Sequence, residues 1–290
     1  ALLIEGARRV GKSTLVNQFA SKEYKTAIII DFNLASEEVI SLFDNLMDLN
    51  FIFFQLQRIY HVQLFDRQSV IVFDEVQRCP KARQAIKYLV ADGRYDYIET
   101  GSLISIHLNT KDITIPSEER RLEMLPMDYE EFCWALGKDV TYSLLRTAFE
   151  NCYPSVGAHR DSMRDLRLYM LIGGMPQAVD AYLTTNNLQV VDNIKRDILN
   201  LYAEDLIKID KSQQLSRLFM AIPAQLSKNS SRYAPTSVIE GITFDKVQEL
   251  LHDLADSKTI NIAYHANDPN VGFSLNADYK RFKIYILPLA

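Results

Sequence analysis

The sequence has little of what marks a secreted, metal-binding or membrane-spanning protein. Only three of its 290 residues are cysteines. Cys79, Cys133 and Cys152 have the spacing of neither a metal site nor a disulfide framework, which suits a reducing cytoplasm. No apolar run approaches the ~20 residues that a membrane-spanning helix needs, and no signal peptide is visible. We therefore expect a cytoplasmic protein with no membrane partner.

An excess of one charge is also lacking. The net charge is −5, so any binding to nucleic acid would have to come from a local basic patch. The chain is 48% hydrophobic, which is enough for a sizeable core and two or three domains. It begins at Ala1 inside an apolar run and without a methionine, so we expect further residues to precede it.

The strongest signal is the stretch from Gly6 to Ser13, which fits the phosphate-loop pattern G-x-x-x-x-G-K-[ST] at every fixed position. An apolar run precedes it and a helical pattern follows, which favours a phosphate site over a chance glycine-rich turn. Lys12 is predicted to reach the β- and γ-phosphates, and the Ser13 hydroxyl to hold Mg²⁺. The predicted nucleotide-binding residues are Gly6, Ala7, Arg8, Arg9, Val10, Gly11, Lys12, Ser13 and Thr14.

A second signal is the pair Asp74-Glu75, which ends the buried apolar run Ser69–Phe73. Ligands of open α/β sheets bind at the carboxyl ends of the strands. Asp74 can hold Mg²⁺ beside Ser13, and Glu75 can orient and deprotonate a water. Acidic residues after strands are common, so the pair gains its meaning from the phosphate loop upstream. Simple nucleotide kinases usually lack the adjacent glutamate, which favours hydrolysis.

A further strand is predicted at Tyr95–Thr100, followed by Gly101 and Ser102. A polar residue at this strand end would lie between the two other motifs and could sense the γ-phosphate. Ser102 is the first candidate and Thr100 the second. A plain turn at the end of the strand is the alternative.

These motifs together resemble the prokaryotic AAA-like ATPases that carry a C-terminal domain of unknown function, number 4143. The resemblance implies an α/β fold with a parallel P-loop sheet in the order 5-1-4-3-2, followed by a helical subdomain and a winged-helix domain. It also implies ATP and Mg²⁺ as cofactors, and no guanine-reading Asn-Lys-x-Asp motif occurs. The matching segments are Gly6–Ser13, Val70–Gln77, Glu99–Ser102, Leu125–Phe132, Gly173–Val179, Asp197–Ile198, Tyr202–Asp205 and Phe282–Tyr285.

The charged run Ser117–Arg121 allows two interpretations. Such a run is usually a solvated surface. The resemblance implies instead that Arg121 or Arg120 stabilises transition-state charge on a nucleotide, often that of a neighbouring subunit. The family more often has Gly-Arg at this place, and this chain does not. A homo-oligomer is therefore among the expected partners.

The C-terminal part predicts three helices and then two strands, the layout of a winged helix. After residue 210 the chain has nine Lys and Arg against seven Asp and Glu, whereas the first 210 residues carry a net −7. This asymmetry favours contact with DNA phosphates, and a protein partner is the alternative. The predicted phosphate contacts are Lys228, Arg232, Lys280, Arg281 and Lys283.

The sequence thus predicts four parts: an AAA-like P-loop domain at 1–128, a helical lid-like subdomain at 129–210, a winged-helix-like domain at 211–265, and the start of a further domain at 266–290. The predicted function is an ATP-hydrolysing switch that couples nucleotide state to a module binding DNA or protein. One alternative is a regulatory module that hydrolyses ATP slowly or not at all. Another is a DNA-directed effector that acts through a C-terminal domain mostly missing from this sequence.

Overall fold

The computed structural model describes residues 1–102, 118–154, 158–228, 232–266 and 277–287. The chain divides into two compact units, Ala1–Met124 and Leu125–Ala290. The first unit contains the predicted phosphate motifs, and the second contains the predicted helical and winged-helix-like parts. The finer division into four parts remains a prediction.

The first unit is built on a parallel sheet of five strands in the order β2-β3-β4-β1-β5. Numbered along the chain, this is the order 5-1-4-3-2 in the opposite direction, so the predicted topology is confirmed. The central strand β3 is buried from its first residue to Phe73 because helices cover both faces of the sheet. The strands are β1 (Leu2–Gly6), β2 (Thr26–Asp31), β3 (Ser69–Asp74), β4 (Asp96–Ser102) and β5 (Arg120–Met124).

Alternating strand residues supply two cores, one on each face of the sheet. On one face Ile4 and Val72 pack with Val16 of helix α1 (Lys12–Glu23). On the other face Leu3 and Ile71 belong to a larger core. That core is covered by α2 (Glu37–Ser41), α3 (Leu49–Tyr60) and α4 (Pro80–Asp92) together with short 3₁₀ turns at Leu42–Asp44 and Val76–Arg78.

The apolar stripe of residues 36–66 predicts a helix, and the structure divides this segment into separate helices. The side chain of Asp48 accepts a hydrogen bond from the backbone N–H of Phe51 at 3.1 Å and so starts α3 as a new helix. The helix ends at His61, which has a positive φ of 53°. Capping chemistry therefore overrides the continuous apolar stripe.

The edge strand β5 contains Arg120 and Arg121, the last two residues of the charged run Ser117–Arg121. The backbone N–H of Arg120 donates to the carbonyl oxygen of Ala1 at 3.0 Å, and β5 then runs in register along β1, with Gly6 opposite Met124. Four of its five side chains are exposed. A strand at a sheet edge keeps charged side chains in water, so its sequence lacks the apolar signal of a strand.

The second unit begins with a series of helices. The spacing of Asp128 and Glu131 predicts a capping box at the start of a helix. The structure contains it, with each side chain accepting from the other residue's backbone N–H at 2.9 and 3.0 Å. The turn at Gly174 packs so closely against Met127 that a Cβ on Gly174 would overlap the Met127 carbonyl oxygen. The helices up to residue 209 are α5 (Tyr129–Ala135), α6 (Thr141–Glu150), α7 (Ala158–Ile172), α8 (Pro176–Thr185) and α9 (Leu188–Ile209).

The remaining part of the second unit follows the predicted order of helices and then strands. The first of the three helices predicted for the C-terminal part covers residues 212–226. In the structure it is divided at Ala221 into α10 (Gln214–Met220) and α11 (Ile222–Ser227), since Pro223 stands in the first turn of α11 and cannot donate a helical hydrogen bond. A 3₁₀ turn at Pro235–Ser237 and α12 (Phe244–Asp256) follow.

The two C-terminal strands form an antiparallel ribbon, β6 (Ile260–Ala266) and β7 (Ala277–Ile286). Phe282, Ile284 and Ile286 of β7 are buried, whereas Arg281 and Tyr285 are exposed, as expected for side chains that alternate across a strand. The ribbon has residues on both sides of the boundary predicted at 265–266.

None of the helices in the described segments is both long enough and apolar enough to cross a membrane.

Candidate active site

The predicted phosphate loop joins the carboxyl end of β1 to the start of α1. Gly11, the residue before the helix, has a positive φ of 99°, which glycine adopts without a steric penalty. As a glycine, Gly11 has no side chain to cap the first turn of α1. The backbone N–H groups of this turn are therefore placed to bind an anion, in line with the helix dipole.

Gly6 is required for a different reason. A Cβ on Gly6 would overlap the carbonyl oxygen of Met124 on β5. Because that neighbour is backbone, a side chain here would push β5 away from β1. The first glycine of the motif thus allows β5 to pair with β1 directly beside the loop.

The Lys12 side chain is held at the centre of the loop. Its Nζ donates to the carbonyl oxygens of Gly6 at 3.1 Å and Ala7 at 2.9 Å. Burial lowers the pKa of Lys12, and the carboxylates of Glu75 and Asp74 oppose that shift. An ammonium has three N–H donors, so one remains after the two loop carbonyls and can serve a phosphate oxygen.

Ser13 and Asp74, predicted as metal ligands, are in direct contact. The Ser13 Oγ donates to Asp74 Oδ1 at 2.9 Å, and the Thr100 hydroxyl donates to the same oxygen. A hydroxyl and a carboxylate oxygen are the hard donors that Mg²⁺ prefers, and Mg²⁺ usually takes only one or two protein ligands beside phosphates and waters. The pair therefore fits Mg²⁺. Within the described segments, no group of three or more His, Cys, Asp or Glu could hold a metal.

Glu75 is anchored through both its backbone and its side chain. It has a positive φ of 55°, an uncommon conformation for a residue with a side chain. Its backbone N–H donates to Thr100 Oγ1 at 3.3 Å, and its Oε2 accepts from Gln77 Nε2 at 2.6 Å. Since Glu75 is the strongest charge acting on Lys12, its carboxylate lies at the same edge of the sheet.

The two candidates for sensing the γ-phosphate have different positions. Ser102 is opposite Gly6 in the register of β4 and β1, directly beside the start of the loop. Thr100 contacts both Asp74 and Glu75. The role predicted for Ser102 stays a prediction, and the contacts of Thr100 make it part of the candidate site.

The structure does not bring Arg121 to the phosphate loop of its own chain. Arg121 is opposite Leu3, three residues before Met124 and so roughly 10 Å along the strand from the level of Gly6. Its Nε donates to Glu119 at 3.0 Å. Any contact with a nucleotide would have to be made with a neighbouring subunit.

A buried ionisable cluster on the α4 face of the sheet has no counterpart in the sequence-based expectations. Arg83 of α4 pairs with Glu119 at 3.2 Å, both side chains being 1% exposed. Glu99 of β4 is fully buried. The pKa of Glu99 is raised to about 8, firstly by burial and secondly by the negative charge of Glu119. The sequence contains one possible signal, a glutamate that directly follows Tyr97 and Ile98 in a predicted strand.

Two family models match separate parts of the sequence. An AAA domain (AAA_14) matches residues 1–133, and a domain of unknown function (DUF8612) matches residues 163–288. No curated protein sequence matches the chain. The resemblance predicted domain 4143 for the C-terminal part, and this prediction is wrong, because residues 163–288 match DUF8612. The motifs that suggested it after residue 128 are short and include packing positions such as Gly174, which unrelated helical domains can share.

Three solved structures show weak overall similarity. Orc1 from Aeropyrum pernix in complex with DNA has 11% identity and a TM-score of 0.34, with 99% of this chain and 83% of that chain covered. Cdc6p from Pyrobaculum aerophilum has 12% identity and a TM-score of 0.34, with 99% and 84% covered. PCH-2 from C. elegans has 11% identity and a TM-score of 0.32, with 68% and 59% covered. The domain match at residues 1–133 and the strand order of the sheet agree on an AAA-like P-loop fold for the first unit.

Proposed function

We propose that the protein binds ATP and hydrolyses it, and that it acts as a molecular switch. The observation that carries this proposal is the convergence of Lys12, Ser13 and the Asp74-Glu75 pair at one edge of the sheet. These residues come from two motifs about 60 residues apart and have the donors, acceptors and charges that a nucleoside triphosphate needs.

Binding is assigned to the loop and to Lys12. The N–H groups of the first turn of α1 donate to phosphate oxygens, and the third Lys12 donor reaches the β- and γ-phosphates. Ser13 and Asp74 would hold Mg²⁺, which neutralises phosphate charge when bound. The alternative sites for the predicted sensor, Ser102 and Thr100, both lie at this edge.

Hydrolysis is assigned to Glu75. Its carboxylate takes a proton from a water whose oxygen forms the new bond to the γ-phosphorus. The bond from the γ-phosphorus to the bridging oxygen breaks, and ADP and inorganic phosphate result. The carboxylate is suited to this because Gln77 and Thr100 hold the residue in place.

The test is the substitution Glu75→Gln, which keeps the shape of the side chain and removes its basicity. We expect phosphate release to fall about 10²-fold or more, with ATP affinity unchanged or higher. Glu23→Gln, at the exposed end of α1, is the matched control and should behave as the parent. Equal phosphate release by Glu75→Gln and parent would overturn the hydrolytic role of Glu75. Release near background by both would favour the alternative, a regulatory module that holds ATP with slow or no hydrolysis.

The second unit is proposed to receive the nucleotide signal. Helices α10 to α12 followed by the ribbon have the order of a winged helix, and the basic residues Arg281 and Lys283 on β7 suit phosphate contacts. DNA and a protein are both candidate partners. ATP turnover measured with and without duplex DNA separates them, since only a DNA partner changes the rate when DNA is added.

A homo-oligomer is proposed as a further feature of the switch. Arg121 is exposed on its edge strand, with 44% of its side chain accessible, and in an assembly it could supply positive charge to the nucleotide of a neighbouring subunit.

A further inference from the structure

Gln77 is a buried polar residue to which no function has been assigned. It lies in the 3₁₀ turn Val76–Arg78, directly after the Asp74-Glu75 pair, and is only 4% exposed. Its Nε2 donates to Glu75 Oε2 at 2.6 Å. The contact is therefore between a buried amide and the carboxylate to which we assign proton abstraction.

The orientation of the Gln77 amide follows from the chemistry of its neighbour. An ionised carboxylate only accepts hydrogen bonds, so the amide must present its nitrogen to Glu75. The amide oxygen Oε1 then finds no donor among the described residues. Leaving a buried acceptor unpaired has a free-energy cost, so the contact with Glu75 determines how this side chain is placed.

Glu75 needs such an anchor because its backbone is already in an uncommon conformation, with a φ of 55°. Thr100 holds its backbone N–H, and Gln77 holds one carboxylate oxygen. The other charged groups of this edge are Lys12 from α1, Asp74 from β3 and Arg8 from the loop. Attraction to the Lys12 ammonium alone would let the carboxylate rotate toward the lysine and away from a water.

We propose that Gln77 is a positioning residue for Glu75: its amide N–H fixes one carboxylate oxygen and thereby leaves the other oxygen directed to the attacking water. This inference rests on the proposed hydrolysis of ATP. Gln77 itself does not touch the nucleotide, so its loss affects turnover and leaves ATP binding intact.

The experiment measures kcat and KM for ATP at pH 8.5 for the parent, Gln77→Met and Gln77→Glu. Gln77→Met has a similar volume and no donor. We expect kcat to fall about tenfold to a hundredfold, as for a small misplacement of a reacting group, with KM within about twofold of the parent. Gln18→Met, on the exposed face of α1, is the control and should change neither constant.

Gln77→Glu supplies a signature that a packing defect would not produce. It keeps the length and shape of the side chain and replaces the amide donor by a carboxylate, which only accepts hydrogen bonds when ionised. At pH 8.5 two carboxylates face each other, so kcat should fall at least as far as in Gln77→Met, with KM again within about twofold of the parent.

The outcomes separate the inference from the function on which it rests. Parent turnover combined with an unchanged kcat in Gln77→Met or in Gln77→Glu overturns the role of Gln77 and leaves hydrolysis standing. No turnover by the parent overturns both. Circular dichroism gives the folded fraction of each variant, and kcat is calculated for that fraction, so a loss of folded protein cannot mimic the expected decrease.

Discussion

The phosphate edge of the first unit and the basic ribbon of the second unit are organised in opposite ways. At the phosphate edge the polar side chains bond to one another across long stretches of chain, Ser13 to Asp74 over 61 residues and Glu75 to Thr100 over 25. On β7 the basic side chains are surface groups, with Arg281 on the face opposite the buried Phe282 and Ile284.

This difference determines how each region responds to substitution. In a connected, partly buried site each group depends on its neighbours, so one substitution has a large effect. On an exposed basic surface each charge contributes a small, salt-dependent amount that adds to the others. We therefore expect the largest effect from a substitution at the phosphate edge and the smallest from substitutions on the ribbon.

The largest effect is expected for Lys12→Ala. The substitution removes the ammonium that the loop carbonyls of Gly6 and Ala7 hold in place, and with it the positive charge next to the phosphates. We expect kcat/KM for ATP to fall about 10³-fold, measured by phosphate release. Lys22→Ala, exposed in the last turn of the same helix, should remain within about twofold of the parent. A decrease of less than tenfold in Lys12→Ala would contradict the proposed site.

A smaller effect, visible only as a change with pH, is expected for Glu99→Gln. Burial raises the folded-state pKa of Glu99 to about 8, so the folded protein keeps a proton that the unfolded chain releases above about pH 4.5. The free energy of unfolding of the parent should therefore decrease as pH rises through this window, by at most about 1.4 kcal/mol per pH unit.

Glu99→Gln removes the carboxyl group that binds this proton in the buried cluster of Glu99, Arg83 and Glu119. The melting temperature of the variant should exceed that of the parent at pH 9, and the difference should shrink toward pH 5. Thermal unfolding across this range is the measurement, with the exposed Glu23→Gln as control. A difference that is the same at pH 5 and pH 9 would show that Glu99 does not titrate in this window.

The smallest effect is expected for the double substitution Arg281→Ala with Lys283→Ala on the ribbon. Each side chain is predicted to neutralise about one DNA phosphate, so the slope of log K against log salt should decrease by about one unit for each substitution. Fluorescence anisotropy with labelled duplex DNA at several salt concentrations measures this slope, and Lys211→Ala, on an exposed residue outside the ribbon, serves as control. An unchanged slope would favour a protein partner.

Sequence analysis predicted the parts of the fold whose signal is local. The phosphate loop, the buried strand before Asp74-Glu75 and the capping box at Asp128 each lie within about ten residues, and the structure places each as expected. The topology of the sheet was predicted through the resemblance. Strand β5 was missed because an edge strand with exposed Arg and Glu side chains lacks an apolar pattern.

The contacts within the candidate site were less accessible to sequence. Thr100 was ranked after Ser102, yet it is Thr100 that contacts Asp74 and Glu75. Arg121 was a candidate for contact with a nucleotide, often that of a neighbouring subunit, and its strand register places it away from the loop of its own chain. Both outcomes depend on which strands are neighbours and on their register, neither of which one strand's sequence contains.

The sequence by itself determined the chemistry at the phosphate edge: a loop that binds anions, a lysine, a hydroxyl and an acidic pair after a strand. Local backbone geometry and short spacing are enough for those features. Only the tertiary structure showed the contacts between these groups. Gly6 packs against the Met124 carbonyl oxygen, Thr100 contacts both Asp74 and Glu75, and Gln77 donates to the Glu75 carboxylate. The physical reason is that hydrogen bonds act over about 3 Å, and strand order together with the folding of the turn after β3 brings these groups within that distance.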